Sequence, residues 1–200
     1  MRLLLCPNKL MLKADLRKIY LTKLQSLAPA ERLEKSNEIA EQFRQTFALE
    51  KIKVLHLFLP IERNNEIQTS FIYQKIWHAF PQLKTVVPRI NRETGEIESL
   101  EFNSSTQLSV KNWGIPEPIG NELTEAEEID SVLVPLLCFD KKGFRVGYGK
   151  GFYDKFLKKC RKDCLKIGLS YFPPIDEISD TNEFDVTLDY CITPKKIWKY

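Results

Sequence analysis

Apolar runs of strand length alternate along this chain with segments of helical periodicity, and this alternation limits the fold more than any other feature. The run "SVLVPLLCF" at 131–139 is apolar at nearly every position, and "IKVLHLFLP" at 52–60 is similar. Strands that are apolar on both faces are typical of parallel sheets covered by helices. Helical spacing of apolar residues marks 13–27, 29–47, 70–80 and 150–160. The pattern predicts an α/β fold with three layers: a largely parallel central sheet, helices on both faces and an N-terminal pair of helices.

The remaining segments complete this prediction. Residues 83–90 and 96–102 flank the turn sequence "NRETG" and are predicted to form a hairpin. Residues 103–128 are polar and contain prolines, which predicts an irregular connection. The last two strands are predicted at 165–170 and 185–193.

Composition suits a single domain spanning 1–200. The chain is 43% hydrophobic and 28% charged, as in ordinary globular domains. No apolar run approaches the roughly 18–20 residues that span a bilayer. The first ten residues, "MRLLLCPNKL", hold too short an apolar part for a secretion signal and are predicted to be a non-targeting extension. Five scattered cysteines without a CxxC, with only two histidines, argue against zinc and a disulfide framework. The cysteines are therefore predicted to be reduced thiols, which predicts a cytoplasmic protein.

Charge is concentrated in one segment. Residues 140–162 carry nine Lys or Arg and two Asp, a net charge of +7, although the whole chain carries only +3. An anionic partner would be attracted to this segment. The alternative is a solvated basic helix face, which accounts equally well for Lys155, Lys158, Lys159 and Lys162.

The same segment contains a glycine-rich loop, "GFRVGYGKGFYDKF" at 143–156, with four of the chain's eight glycines. It follows the strongest predicted strand and precedes a predicted helix, where ligands bind in parallel sheets. Backbone N–H groups there, with the N-terminus of the helix, can form an anion-binding nest. Arg145 and Lys150 add positive charge. The loop fits neither the Walker A pattern nor the dinucleotide fingerprint, so phosphate binding and a merely flexible connection both stay open.

The longer stretch "VPLLCFDKKGFRVGYGKGFYDKFL" resembles the signature of the 5-formyltetrahydrofolate cyclo-ligase family, an apolar strand and Asp followed by R-x-G-x-G-x-G-[YF]-Y-D. Supporting similarities cover most of the chain: "KADLR" (13–17), "NNEIQT" (64–69), "WGIPEP" (113–118) and "FDVTLDYCIT" (184–193), the last matching a terminal D-x-x-x-D strand.

The resemblance implies a reaction in which ATP and 5-formyltetrahydrofolate give 5,10-methenyltetrahydrofolate, ADP and phosphate. It implies Mg²⁺ as cofactor, ATP as co-substrate and a folate that can carry additional glutamates. A monomer that binds neither nucleic acid nor membrane is expected. A non-catalytic RNA-binding relative and a kinase acting on another small molecule remain as alternatives.

Residue roles follow from the same resemblance. The ATP-binding residues it implies are Lys13, Arg17, Arg145, Gly147, Gly149, Lys150, Gly151, Phe152 and Tyr153, with Lys150 and Arg145 as the catalytic cations. The implied folate-binding residues are Leu59, Glu66, Trp113, Tyr148, Gly149, Lys150, Gly151 and Phe152. The implied Mg²⁺ ligands are Asp154 and Asp189.

Two departures from the family pattern affect these assignments. The segment "LPIERNNEIQT" is about two residues longer than the usual family loop, which makes the placement of Leu59 less secure than that of Glu66. The family-like sequence begins at Met11, so residues 1–10 are expected to be dispensable.

Overall fold

The computed structural model describes residues 11–110 and 116–200. The predicted extension at 1–10 and the predicted folate contact Trp113 lie outside the described residues. The α-helices of the described chain are α1 (Lys13–Ser26), α2 (Pro29–Thr46), α3 (Ser70–Ala79) and α4 (Phe152–Lys159). Its strands are β1 (Val54–His56), β2 (Lys84–Ile90), β3 (Ile97–Glu101), β4 (Leu108–Val110), β5 (Pro116–Pro118), β6 (Leu123–Thr124), β7 (Ser131–Pro135), β8 (Cys138–Phe139), β9 (Arg145–Val146), β10 (Leu165–Leu169), β11 (Tyr190–Ile192) and β12 (Ile197–Lys199).

Eight of these strands form one sheet in the order β12-β11-β10-β7-β1-β2-β3-β6. The five central strands, from β11 to β2, run parallel to their neighbours. At one edge β12 pairs antiparallel with β11, and at the other edge β3 pairs antiparallel with β2 and β6 with β3. The largely parallel sheet predicted from the apolar runs is confirmed.

Both faces of the sheet are covered, because successive residues of a strand point to opposite sides. On β7, Leu133 belongs to an apolar cluster that contains residues of α1, α2 and α3. Its neighbours Val132 and Val134 belong to a second cluster, with Phe156 of α4. Burying side chains of this size contributes about 1.5–3 kcal/mol each, which explains why β7 is apolar from Val132 to Pro135. The predicted three layers and N-terminal helical pair are confirmed.

Several strands differ from the predicted bounds. Strand β1 is short because the chain leaves the sheet after Leu57, whose N–H donates to the Val86 carbonyl at 2.9 Å. The predicted strand at 131–139 divides into β7 and β8, and β7 ends at Pro135. The last predicted strand, 185–193, begins only at Tyr190.

The sequence also missed strands. Three short strands, β4, β5 and β6, lie within the predicted irregular connection. Strand β12 was not predicted either, and it pairs antiparallel with β11. These strands are two or three residues long, too short for an alternating pattern to be recognised, and their partners stabilise them.

A hairpin of β8 and β9 carries the glycine loop. Its turn is held by the buried Asp140 carboxylate, which accepts hydrogen bonds from the N–H groups of Lys142 at 2.9 Å and Phe144 at 3.0 Å. Gly143 has φ +85°, and a Cβ there would lie 2.9 Å from the Tyr200 ring, so glycine is required. Residues 147–151 then run from β9 to α4, between strand and helix as predicted. No helix within the described ranges combines the length and apolarity needed to cross a membrane.

Candidate active site

A cavity of about 480 Å³ opens beside the glycine loop. Its walls come from α1, the segment after β1, the ends of β2 and β7, the glycine loop and the first turn of α4. Ligands of parallel sheets bind beyond the carboxyl ends of the strands, and Pro135 at the end of β7 is part of this wall. Most predicted site residues line this single cavity: Lys13, Arg17, Leu59, Glu66, Arg145, Gly147, Tyr148, Gly149, Lys150, Gly151, Phe152, Tyr153 and Asp154.

Helix α1 holds the glycine loop through Arg17. The Arg17 Nε donates to the Gly147 carbonyl at 3.0 Å. Gly149 has φ +94°, and a Cβ there would lie 3.1 Å from the Arg17 guanidinium carbon. A larger residue at position 149 would therefore be strained and would also displace the arginine. The structure thus brings Arg17, implied by the resemblance to bind ATP, against the glycine loop.

Two cation–carboxylate pairs lie in the wall next to the loop. The Lys13 Nζ lies 2.5 Å from Asp185 Oδ2. The Arg145 Nη2 donates to Asp154 Oδ1 at 2.8 Å, and its Nη1 donates to the Val186 carbonyl. The Arg145 side chain is only 5% exposed. Burial lowers the pKa of its guanidinium, and the Asp154 charge opposes that shift. Arg145 therefore holds Asp154, whereas the resemblance implied that it binds ATP as a catalytic cation.

Asp189 is not among the residues that line the cavity, so the structure does not bring it together with Asp154 as the resemblance implied. The Asp189 carboxylate accepts hydrogen bonds from the Lys166 backbone N–H at 2.7 Å and from its Nζ at 2.9 Å, beside β10. Asp185, four residues earlier, lines the cavity instead.

Asp154 and Asp185 are the two aspartates that line the cavity. They could hold a hard divalent cation only if a bound ligand supplied further oxygen atoms. Within the described ranges, no group of three or more His, Cys, Asp or Glu side chains forms a metal site. Mg²⁺ is commonly held by one or two carboxylates together with substrate phosphates and water. Asp154 forms an ion pair with Arg145, and Asp185 forms one with Lys13. The carboxylates in this part of the cavity therefore already stabilise positive charge.

The opposite wall is centred on Glu66, which is only 8% exposed. Its Oε2 accepts a hydrogen bond from the Ile61 N–H at 2.7 Å. Burial raises the pKa of Glu66, while the Tyr148 hydroxyl and the Ile61 N–H oppose the rise. Buried Leu59 lines the same wall. A carboxylate held this way recognises N–H donors of a ligand.

Tyr153 lines the cavity and carries a hydroxyl that lacks a hydrogen-bond partner among the described residues. Its hydroxyl is buried, and no described residue provides a hydrogen-bond partner. Its ring packs edge-on against His56 at 6.1 Å between centroids. Burial lowers the pKa of His56 to about 3, so this histidine is neutral core. Tyr153 lines the cavity, so a ligand could supply the partner that its hydroxyl lacks.

Sequence reasoning missed Asp185 and three residues of the longer loop that line the cavity, Ile61, Arg63 and Asn64. The sequence did contain a signal for Asp185, because it is the first aspartate of the quoted D-x-x-x-D pattern. The loop residues carried no signal, since the extra length departs from the family pattern.

The basic field of 140–162 is partly neutralised. Five of its nine cations have carboxylate partners: Lys141, Lys142, Arg145, Lys159 and Arg161. This pairing weakens the case for a nucleic-acid surface at this segment.

Comparison with known proteins gives a consistent result. The model of the 5-formyltetrahydrofolate cyclo-ligase family matches residues 10–194. A 5-formyltetrahydrofolate cyclo-ligase of Mycoplasma pneumoniae is 29% identical, over 90% of this chain and 97% of that protein. The solved structure of Aquifex aeolicus 5,10-methenyltetrahydrofolate synthetase is similar with a TM-score of 0.81 and 28% identity, covering 94% of this chain and 93% of that one. A synthetase structure from Mycoplasma pneumoniae gives 0.73 and 27%, covering 91% and 98%.

Proposed function

This chain belongs to the 5-formyltetrahydrofolate cyclo-ligase family and converts 5-formyltetrahydrofolate to 5,10-methenyltetrahydrofolate, and we propose that it does so with ATP and Mg²⁺, releasing ADP and phosphate. The observation that carries the proposal is that one cavity joins a basic glycine loop to a buried carboxylate. A phosphate donor and a pterin could thus lie side by side.

The chemistry explains the need for ATP. The formyl group on N5 is a formamide, whose carbon is a weak electrophile and whose oxygen is a poor leaving group. When the formyl oxygen attacks the γ-phosphorus, the bond between that phosphorus and ADP breaks. N10 then attacks the activated carbon and loses its proton, and the C–O bond breaks with release of phosphate. The formyl oxygen therefore leaves in the phosphate.

The chain's own residues supply positioning and charge for these steps. Backbone N–H groups of the glycine loop and the N-terminus of α4 would bind the phosphates. Lys150, which lies in the cavity wall between Gly149 and Gly151, would offset the charge on the phosphoryl group during transfer. Lys13 and Arg17 would bind the nucleotide from α1. The unsatisfied Tyr153 hydroxyl would donate to a phosphate or to the substrate.

Asp154 and Asp185 would hold Mg²⁺, replacing the pair of Asp154 and Asp189 expected from the sequence. When bound, the metal would supply positive charge to the phosphate oxygens. Arg145 is then a positioning residue, because its guanidinium fixes Asp154.

Folate binding would centre on Glu66. A carboxylate has about four lone-pair sites, so Glu66 can keep its present donors and accept two N–H groups from the pterin edge. Leu59 and Phe152 line the cavity nearby and would pack on the rings. We also retain as proposals a cytoplasmic location, which suits the four free cysteines of the described residues, and a monomeric state.

The test is absorbance of the methenyl product. Purified protein is mixed with 5-formyltetrahydrofolate, with and without ATP, and with Mg²⁺ or a chelator. We expect the methenyl band to grow only when ATP and Mg²⁺ are both present, with one ADP formed per methenyl product. Growth of the band without ATP, or ADP release without the band, would overturn the proposal.

A further inference from the structure

Glu66 lines two cavities. One is the large cavity described above, and the other, of about 20 Å³, is lined by Glu66 together with Leu24, Phe58, Tyr171 and their neighbours. Close packing, which fixes most buried side chains, therefore does not hold this residue on every side. Its position depends instead on the hydrogen bonds made by its backbone and its carboxylate.

Two buried hydroxyl groups hold the backbone around Glu66. Tyr171, two residues after β10, donates its hydroxyl proton to the Glu66 carbonyl at 3.1 Å. The Ser36 hydroxyl of α2 lies 2.9 Å from the Tyr171 hydroxyl and accepts from the Gln68 N–H at 3.1 Å. Tyr171 is only 5% exposed, and Ser36 is fully buried. Helix α2, the chain after β10 and the segment that carries Glu66 are thus joined by one set of hydrogen bonds.

The direction of these hydrogen bonds follows from the number of protons. Each hydroxyl has one proton to donate. Because Tyr171 donates its proton to the Glu66 carbonyl, Ser36 must be the donor in the bond between the two hydroxyls. Ser36 can accept from Gln68 at the same time with a lone pair. Both hydroxyl protons are therefore used, and a buried network with every member satisfied favours one arrangement of its groups.

Two further hydrogen bonds support the same segment from the other side. The Thr69 hydroxyl donates to the Phe58 carbonyl at 2.6 Å and so joins the two ends of the longer loop. Within this loop, the Ile61 N–H donates to Glu66 Oε2 at 2.7 Å. The carboxylate of Glu66 is thus oriented by the loop, while its backbone is fixed by Tyr171.

From these contacts, and resting on the function proposed above, we propose that Tyr171 and Ser36 are positioning residues that fix the Glu66 carboxylate for the pterin. Neither is among the described residues that line the large cavity, so both act through Glu66. An acceptor that is already in place loses less conformational entropy when the ligand binds. The hydrogen bonds of Tyr171 and Ser36 act on the Glu66 segment, so their loss affects folate and leaves the nucleotide side unchanged.

The experiment measures affinity by calorimetry, for 5-formyltetrahydrofolate and separately for a non-hydrolysable ATP analogue with Mg²⁺. Tyr171→Phe removes only the hydroxyl and should weaken folate binding about five- to tenfold, because the buried Glu66 carbonyl loses this donor. Affinity for the ATP analogue should stay within about twofold of wild type. Tyr200→Phe is the matched control: its hydroxyl donates to the Asp140 carbonyl at 3.0 Å, and its loss should leave folate affinity unchanged.

A double variant separates positioning of Glu66 from a general loss of stability. If Tyr171 acts through the carboxylate, Tyr171→Phe should weaken folate binding less than about twofold when Glu66→Gln is already present, because the two changes are coupled. A merely structural hydroxyl would weaken folate binding by the same factor in both backgrounds.

Ser36→Ala provides a second variant, which should also weaken folate binding with little change for the ATP analogue. It decides the matter if thermal melting shows that Tyr171→Phe does not fold. The proposal is overturned if the folded variant binds folate within about twofold of wild type, if its affinity for the ATP analogue falls equally, or if Glu66→Gln does not reduce the effect of Tyr171→Phe. Failure of the proposed function is recognised separately, by absence of the methenyl band in wild type.

Discussion

Under the proposed function, the cavity has a nucleotide side at the glycine loop and a folate side at Glu66, and the two sides would recognise their ligands in opposite ways. The nucleotide side combines flexible glycines with several charges, including the pairs Lys13–Asp185 and Arg145–Asp154. The folate side has one buried carboxylate, Glu66, on a wall that includes buried Leu59. A triphosphate spreads its charge over many oxygens, so many weak donors can share it. A pterin edge presents a few donors in a fixed geometry, so one acceptor in a fixed position is enough.

This contrast predicts that loss of the proposed transition-state contact at Lys150 alters the rate, whereas loss of the contact at Glu66 alters folate affinity. The largest effect is expected at Lys150. Lys150→Met keeps the length of the side chain and removes its charge. Loss of one electrostatic contact to a transition state costs about 3–4 kcal/mol, or roughly 10²–10³ in kcat. The measurement is steady-state methenyl formation at saturating ATP.

Folate affinity serves as the control for Lys150→Met, because Glu66 should still hold the pterin. A turnover within about threefold of wild type would contradict the catalytic role, since that role requires an effect of the size seen for other oxyanion-type contacts.

The next largest effect is expected on the folate side. Glu66→Gln keeps the shape and removes the charge, and a hydrogen bond to a charged group contributes about 1.5–3 kcal/mol, which corresponds to about tenfold to a hundredfold weaker folate binding. ATP affinity and kcat at saturating folate should change little.

The pH dependence sharpens this test. In the proposed function the ionised form of Glu66 binds the pterin. Burial raises the pKa of this group, so wild-type folate affinity should then fall as pH falls through a pKa above the ordinary glutamate range. Glu66→Gln should lack this acid limb. A variant with an unchanged acid limb would assign the titration to another group.

A smaller effect is expected at the aspartate of the D-x-x-x-D pattern that lines the cavity, which is Asp185 and not Asp189. Asp185→Asn should raise the Mg²⁺ concentration for half-maximal activity by at least about tenfold, as for changes around metal ligands. Asp189→Asn is its matched control and should leave Mg²⁺ dependence unchanged, with a loss of stability of about 0–1 kcal/mol from its partly exposed pair with Lys166. The reverse result would restore the pairing expected from the sequence.

The smallest effect is expected at Arg17. Arg17→Lys keeps the charge but loses the Nε donor to the Gly147 carbonyl. The loss of one hydrogen bond should raise the KM for ATP about two- to tenfold with little change in kcat. A large fall in kcat would show that Arg17 acts in the transition state.

The accuracy of prediction differs between the two sides for a physical reason. The glycine loop and Asp154 lie within a short stretch of chain, so spacing alone predicts that they meet. Glu66 and Leu59 were assigned through family resemblance, and only the fold brings them opposite the loop. The hydrogen bond from the Tyr171 hydroxyl to the Glu66 carbonyl joins positions 105 residues apart, and no local pattern predicts it.

The sequence by itself determined the parallel sheet, the four helices and the place of the glycine loop, because apolar periodicity and glycine spacing act over a few neighbouring residues. Tertiary structure alone decided which aspartate faces the cavity. Asp189 carried the same chemistry as Asp185, but its pairing with Lys166 beside β10 turned it away. The short strands at the edge were decided in the same way: β12 exists because β11 offers free hydrogen-bonding groups to it. Choices of this kind depend on partners far apart in the chain, whose contacts form only in the folded protein.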